Sequence, residues 1–180
     1  MSQAWIETYS GLQFDILEPH QETINIVDIA HALSQLCRFT GHTKYMYTVG
    51  QHSLLASYLV PEEEALAALL HDASEAYIGD VNRPLKHYTD VGKTYLPIED
   101  RIMRAVFQRF GVTFPFSINV KHADDMMLYA EKAQLMNPIE WQHKWGDSTE
   151  AANIKIHKMS SHDVEDKFLE RFHQLYKIGE

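Results

Sequence analysis

An apolar run that ends on two ionisable side chains constrains this chain more than any other stretch. Ala65-Leu66-Ala67-Ala68-Leu69-Leu70 leads directly into His71-Asp72-Ala73-Ser74-Glu75. Pro61 stands near the start of the run, Glu62, Glu63 and Glu64 fill its first turn, and Gly79 stands near its end. That punctuation predicts one helix over the whole span, with His71 and Asp72 on it. Adjacent helical residues point about 100° apart, so the two share an ion only where the backbone curls and other segments add donors. Glu75 follows His71 by four residues and lies on the same face, one turn on. The stretch therefore offers two metal donors and a carboxylate that can take a proton from a water. The plainer reading is a buried histidine satisfied by its neighbour, and the dipeptide by itself leaves both open.

Apolar residues recur at helical spacing along most of the chain. Ile26, Ile29, Ala30, Leu33, Leu36 and Cys37 share one face, with Asn25 or Asp28 as the cap. His52 is expected in the first turn of a second helix through Leu54, Leu55, Tyr58 and Leu59 that Pro61 ends. Further helices are expected over Ile98 to Phe110, stopped by Gly111, and from a Ser117 cap to a stop before Pro138. A last one is expected from about His162 to Lys177, its face made by Val164, Phe168, Phe172 and Leu175. Asp80 to Lys86 reads as a polar loop, and residues 137 to 159 as a loop in which Trp141 and Trp145 anchor packing. Strand pairing is expected only among the first residues, since the β-branched and aromatic stretch Tyr45 to Val49 is too short to found a sheet. The partial alternation of residues 4 to 17 around Ser10-Gly11 predicts a small hairpin. The expected architecture is all-α: a single domain over residues 1–180, a bundle of six or seven helices preceded by that hairpin.

Composition narrows the partners. A net charge of -9 and a pI near 5.6 argue against a general nucleic-acid or anionic-membrane surface, so a phosphate ligand must be met by a few placed cations or a metal. Cys37 is the single cysteine, which rules out an intrachain disulfide and a thiolate cluster. The first residues carry no charged segment followed by a long apolar core, and no run reaches the length of a membrane span. A cytoplasmic protein is expected.

Taken together, His52, His71, Asp72 and Asp124 offer two imidazoles and two carboxylates from three separate helices. Such a set suits a divalent first-row ion in roughly octahedral geometry, with positions left for water and a phosphate oxygen. Cobalt, manganese, zinc and magnesium all fit. Arg38, Lys86 and Lys121 lie beside the ligand blocks, and three cations exceed what one monophosphate requires. Their charge points towards a triphosphate substrate.

The order His…His-Asp…Asp resembles that of the HD-domain phosphohydrolases, helical metal-dependent enzymes named for the dipeptide. The run from His71 to Asp80, followed by Pro84-Leu85-Lys86, is similar to the corresponding run of bacterial 5′-deoxynucleotidases. It also resembles that of phage dATP triphosphohydrolases, which deplete dATP where the genome carries 2-aminoadenine. Thr48-Val49-Gly50-Gln51-His52-Ser53 resembles the block that supplies the first metal ligand, and Val120-Lys121-His122-Ala123-Asp124 the block that supplies the last. The resemblance covers residues 24 to about 136.

It implies that His52, His71, Asp72 and Asp124 hold the ion, Asp124 being preferred to Asp125 because it follows Ala123. It implies that Glu75 orients or deprotonates the attacking water and, with Asp80, sits against the substrate. Arg38-Phe39, fourteen and thirteen residues before His52, matches an Arg-aromatic pair whose arginine meets phosphate and whose ring packs near sugar or base. Phenylalanine stands here where those enzymes carry tryptophan. The implied activity is hydrolysis of dATP to deoxyadenosine and tripolyphosphate. The alternatives are a 5′-deoxynucleotidase acting on monophosphates and a silent HD module that senses nucleotides. A homo-oligomer is expected, with a small-molecule nucleotide as the ligand.

Overall fold

The hairpin at the start is held by an acid that the sequence offered as a helix cap. In the computed structural model, which describes residues 3–137 and 151–176, β1 (Trp5–Glu7) pairs antiparallel with β2 (Gln13–Asp15), Ile6 opposite Phe14. Between them, Ser10 donates from its backbone N and its Oγ to the carboxylate of Asp28, at 2.6 and 2.8 Å. The cap of α1 (Ile26–Gln35) is instead Asn25, whose side chain accepts from the Val27 backbone N–H. Phe14 is shut from solvent and stacks on Tyr77 at 3.9 Å between centroids, which fastens the hairpin to the core.

Eight α-helices follow among the described residues, rather than six or seven. The extra ones come from two places where tertiary contacts overrode the local pattern. The expected single helix over 61–79 is broken into α3 (Ala65–Leu69) and α4 (Glu75–Ile78). Between them the backbone tightens to three-residue bonds, Ala73 N–H to Leu70 O and Glu75 N–H to Asp72 O, while Ser74 N–H turns to the Met103 sulfur at 3.3 Å. His71 and Asp72 therefore lie in a turn and not on a helix. The expected loop over 80–86 holds the start of α5 (Arg83–Tyr88), whose Asn82 cap accepts from Leu85 N–H and whose first turn accommodates Pro84.

α6 (Val91–Arg109) begins seven residues before the expected Ile98 and runs through Pro97. A proline there removes one ladder bond. Contacts at its first turns offset that loss, because Tyr95 Oη donates to Gly79 O at 2.7 Å and Gly92 packs against α5. α2 (Val49–Ala56) is capped by Thr48 and starts earlier than expected, placing His52 at its fourth position. It is buried on nearly every side, and a Cβ at Gly50 would stand 3.1 Å from the Leu33 backbone of α1.

α7 (Ile118–Leu135) has the expected Ser117 cap, and α8 (Ser161–Leu175) buries Val164, Phe168 and Phe172 as expected. Ile29, Leu33, Leu69, Leu70, Ile102, Phe107 and Phe168 fill the main core, each contributing roughly 1.5–3 kcal/mol on burial. A second cluster joins Tyr47, Met127, Ala130 and Leu135 to Ala152 and Ile156. Residues 151–159 are irregular, as expected, and the Gln134 side chain holds them by bonds to Ile154 O and Ile156 N–H. Trp141 and Trp145 lie outside the described residues. No described helix is long and apolar enough to cross a membrane.

Candidate metal centre

A helix buried all round, such as α2, can hold an imidazole only if both ring nitrogens are provided for. His52 Nδ1 donates to Glu131 Oε1 at 2.6 Å, and its Nε2 faces His71 Nε2 at 3.2 Å and Asp124 Oδ1 at 3.1 Å. His71 is presented by the turn after α3, and its Nδ1 donates to Ala68 O at 2.7 Å. A carbonyl only accepts, so Nε2 of His71 is left as the inward-facing nitrogen. Asp72 Oδ2 lies 3.3 Å from His71 Nε2 and 3.7 Å from His52 Nε2, while Asp124 Oδ1 lies 3.8 Å from His71 Nε2. Neighbouring donors around an ion held at about 2.1 Å stand about 3 Å apart. Donors of His52, His71 and Asp72, from α2 and the α3–α4 turn, all lie within 4.8 Å of one another and could hold one small divalent ion, and Asp124 Oδ1 of α7 approaches both imidazoles. Asp124 is the acid brought in, and Asp125 makes none of these approaches.

The electrostatics agree with the geometry. Burial and the Arg38 charge oppose protonation of His52, yet Glu131 and Asp124 outweigh them and lift it to about 9. Burial also opposes protonation of His71, and Asp72 and Asp124 raise it all the same. Asp124 is pressed upward by burial but held well below the usual carboxylate range by hydrogen bonds from the two imidazoles. A site that concentrates carboxylate charge on two inward nitrogens is suited to a cation.

Glu131 is the buried acid at this candidate site that sequence reasoning missed. Its side chain is wholly buried, accepting from His52, from Tyr47 Oη at 2.8 Å and from Arg38 Nη2 at 3.2 Å. It lies two turns after Asp124 on the same face of α7. An acid set among Met127, Ala130 and Leu135 was the signal that could have found it. Arg38 also reaches Asp72 Oδ2 at 3.4 Å. Its turn, Arg38–Gly41, carries Phe39 and Thr40 at φ 52° and 54°, conformations that cost of order 1 kcal/mol or more each outside glycine.

The donors open onto a cleft of about 640 Å³ lined by Arg38, Phe39, Asp72, Glu75, Asp80, Lys86 and Asp124 among others. Glu75 is buried, its Oε2 has no hydrogen-bond partner among the described residues, and burial, then Asp72 and Asp80, push its carboxyl well above the usual range. Burial likewise raises Asp80. Lys86 Nζ donates to Glu99 Oε1 at 2.6 Å and stands 3.6 Å from Glu75 Oε1. Lys121 is exposed and is not among the residues that line the cleft. Seven of the ten residues singled out by sequence therefore line one cleft, His52 and His71 are buried against two of those seven, Asp72 and Asp124, and Lys121 stands apart.

No family model matches the chain. It is 40% identical over 132 residues to the uncharacterized protein YfdR of Escherichia coli, across 73% of this chain and 72% of that one. It is 38% identical over 148 residues to the uncharacterized protein RCAP_rcc00048 of Rhodobacter capsulatus, across 75% and 74%. With identity of that level over most of each length, the chain belongs to the same family as YfdR and RCAP_rcc00048.

Proposed function

We propose that this chain is an HD-type metal-dependent phosphohydrolase that cleaves deoxynucleoside triphosphates, with dATP the substrate and deoxyadenosine and tripolyphosphate the products. One observation carries the reading: the inward Nε2 atoms of His52 and His71, with Nδ1 of each already spent on an acceptor, approach the Asp72 and Asp124 carboxylates, which line a cleft.

A divalent ion at these donors would neutralise phosphate charge and acidify a water. Glu75 is the base. Its raised carboxyl takes the proton of an attacking water more readily than an ordinary glutamate and can return it to the leaving oxygen. Arg38 fixes the position of Asp72 and faces the same cleft, where it orients a phosphate. Phe39, Pro84, Tyr88, Leu128 and Met136 supply an apolar wall for a nucleoside.

A second reading is favoured by the placement of the cations. Lys121 stands away from the cleft, while Arg38 and Lys86 are paired with carboxylates, so the charge expected for a triphosphate is reduced. Those facts suit a 5′-deoxynucleotidase acting on monophosphates. Ion-exchange analysis of products from dATP and from dAMP decides between them. Tripolyphosphate from dATP supports the first reading; orthophosphate from dAMP with dATP untouched supports the second. Binding of both nucleotides without turnover in the presence of each candidate metal would sink both and leave a sensing module.

A further inference from the structure

The cations nearest the metal donors are already neutralised. Arg38 spends its guanidinium on Asp72 and Glu131, and Lys86 stands between Glu99 and Glu75. A ligand phosphate that takes either one must compete with a partly buried carboxylate. The same cleft has a third cation that sequence reading passed over. Arg83, the first residue of α5, lines the cleft one turn before Lys86, and its side chain is exposed with no hydrogen-bond or ion-pair partner among the described residues.

Two imidazoles lie on the same lining. His87 follows Arg83 by four residues on α5 and shares its face, and His42 comes from the segment after the Arg38–Gly41 turn. Neither side chain has a partner among the described residues. α5 is held as a fixed wall, because its Lys86 carbonyl packs against Gly92 so closely that a Cβ there would lie 1.8 Å away. In a chain of net charge -9, an arginine on the lining of a cleft with no carboxylate partner among the described residues, and two imidazoles able to donate hydrogen bonds on the same lining, suit an anionic ligand.

We infer that Arg83, with His42 and His87 on the same cleft lining, forms an outer anion subsite that takes the far phosphates of a polyphosphate chain whose near end lies at the candidate metal donors. The inference rests on the phosphohydrolase reading above and deepens it, since it supplies the charge that Lys121 does not. Arg83 has the planar five-donor fork suited to phosphate oxygens and need break no ion pair to offer it.

The test is calorimetric titration of the manganese-loaded protein with inorganic tripolyphosphate and, separately, orthophosphate. Wild type is expected to bind tripolyphosphate the more tightly. In Arg83→Gln the ratio of the two affinities is expected to fall about tenfold, as for loss of one charge-assisted contact, and Arg83→Lys to recover part of it. Arg83 is exposed and makes no hydrogen bond or ion pair among the described residues, so the substitution is expected to leave the core intact, which a thermal melt checks. A ratio unchanged in Arg83→Gln overturns the inference, as does a wild type that prefers orthophosphate. Absence of nucleotide turnover together with an Arg83-dependent ratio would overturn the hydrolase reading and uphold the subsite.

Discussion

Oε1 of Glu131 lies 2.6 Å from Nδ1 of His52, and both side chains are closed to solvent. One carboxylate thereby orients the imidazole of a candidate metal donor, leaving its Nε2 to face inward, and through its other oxygen anchors Arg38. Glu131→Gln keeps an acceptor for only one of the His52 and Arg38 sides, turns an amide donor towards the other, and removes the counter-charge of Arg38. Metal affinity is expected to drop by about 10- to 100-fold, with a loss of roughly 3 kcal/mol in stability. Titration with manganese and urea unfolding read the two effects. Wild-type values for both would show that Glu131 merely fills space.

The two neighbouring acids of α7 separate cleanly. Asp124 Oδ1 is 3.1 Å from His52 Nε2, whereas Asp125 makes no approach to the donor set. Asp124→Asn is expected to lose bound metal and Asp125→Asn to keep it, as measured by elemental analysis after dialysis. The reverse pattern would mean that α7 is rotated from the arrangement described.

Gly92 has no room for a methyl group. A Cβ would stand 1.8 Å from Lys86 O and 2.9 Å from Lys86 C, both backbone atoms that cannot swing aside. Gly92→Ala should therefore push α5 off α6 and cost at least about 1–3 kcal/mol, although alanine is the better helix former. A thermal melt showing equal or greater stability would contradict the close approach.

The start of α8 carries a pH signature. Asp163 accepts from Ser160 Oγ and N–H, and these bonds hold its carboxyl below the usual aspartate range. A folded-state pKa lower than the unfolded one gives stability that is complete above the unfolded value and fades as pH falls through the folded one. Asp163→Asn should accordingly be less stable than wild type at neutral pH, the gap closing as acid titrates the unbound and then the bound carboxyl. Urea midpoints measured from pH 7 down to pH 2 test this; a gap independent of pH would assign the effect to something other than the capping bonds.

Much of the architecture was legible because it depends on neighbours in the chain. The apolar stripes of α1, α7 and α8, the Asn25 and Ser117 caps and the Ser10-Gly11 turn all follow from spacing of three or four residues, or from one residue's own conformational range. Where expectation failed, the cause lay further off. Pro97 is carried inside α6 by contacts of its first turns with α5 and with Gly79, and the 61–79 helix is broken where Met103 takes the Ser74 N–H.

The site divides the same way. His52, His71, Asp72 and Asp124 could be nominated from sequence because donor chemistry belongs to residue types and their order along the chain. Three things could not: that His71 and Asp72 leave the helix to face one point, that Glu131 rather than water meets His52 Nδ1, and that Arg83 rather than Lys121 lines the cleft. Sequence determined which groups this protein could offer a cation and a phosphate. Tertiary structure decided which of them meet, because side-chain direction is set by how α2, α5 and α7 pack across separations of tens of residues, a relation that no local periodicity encodes.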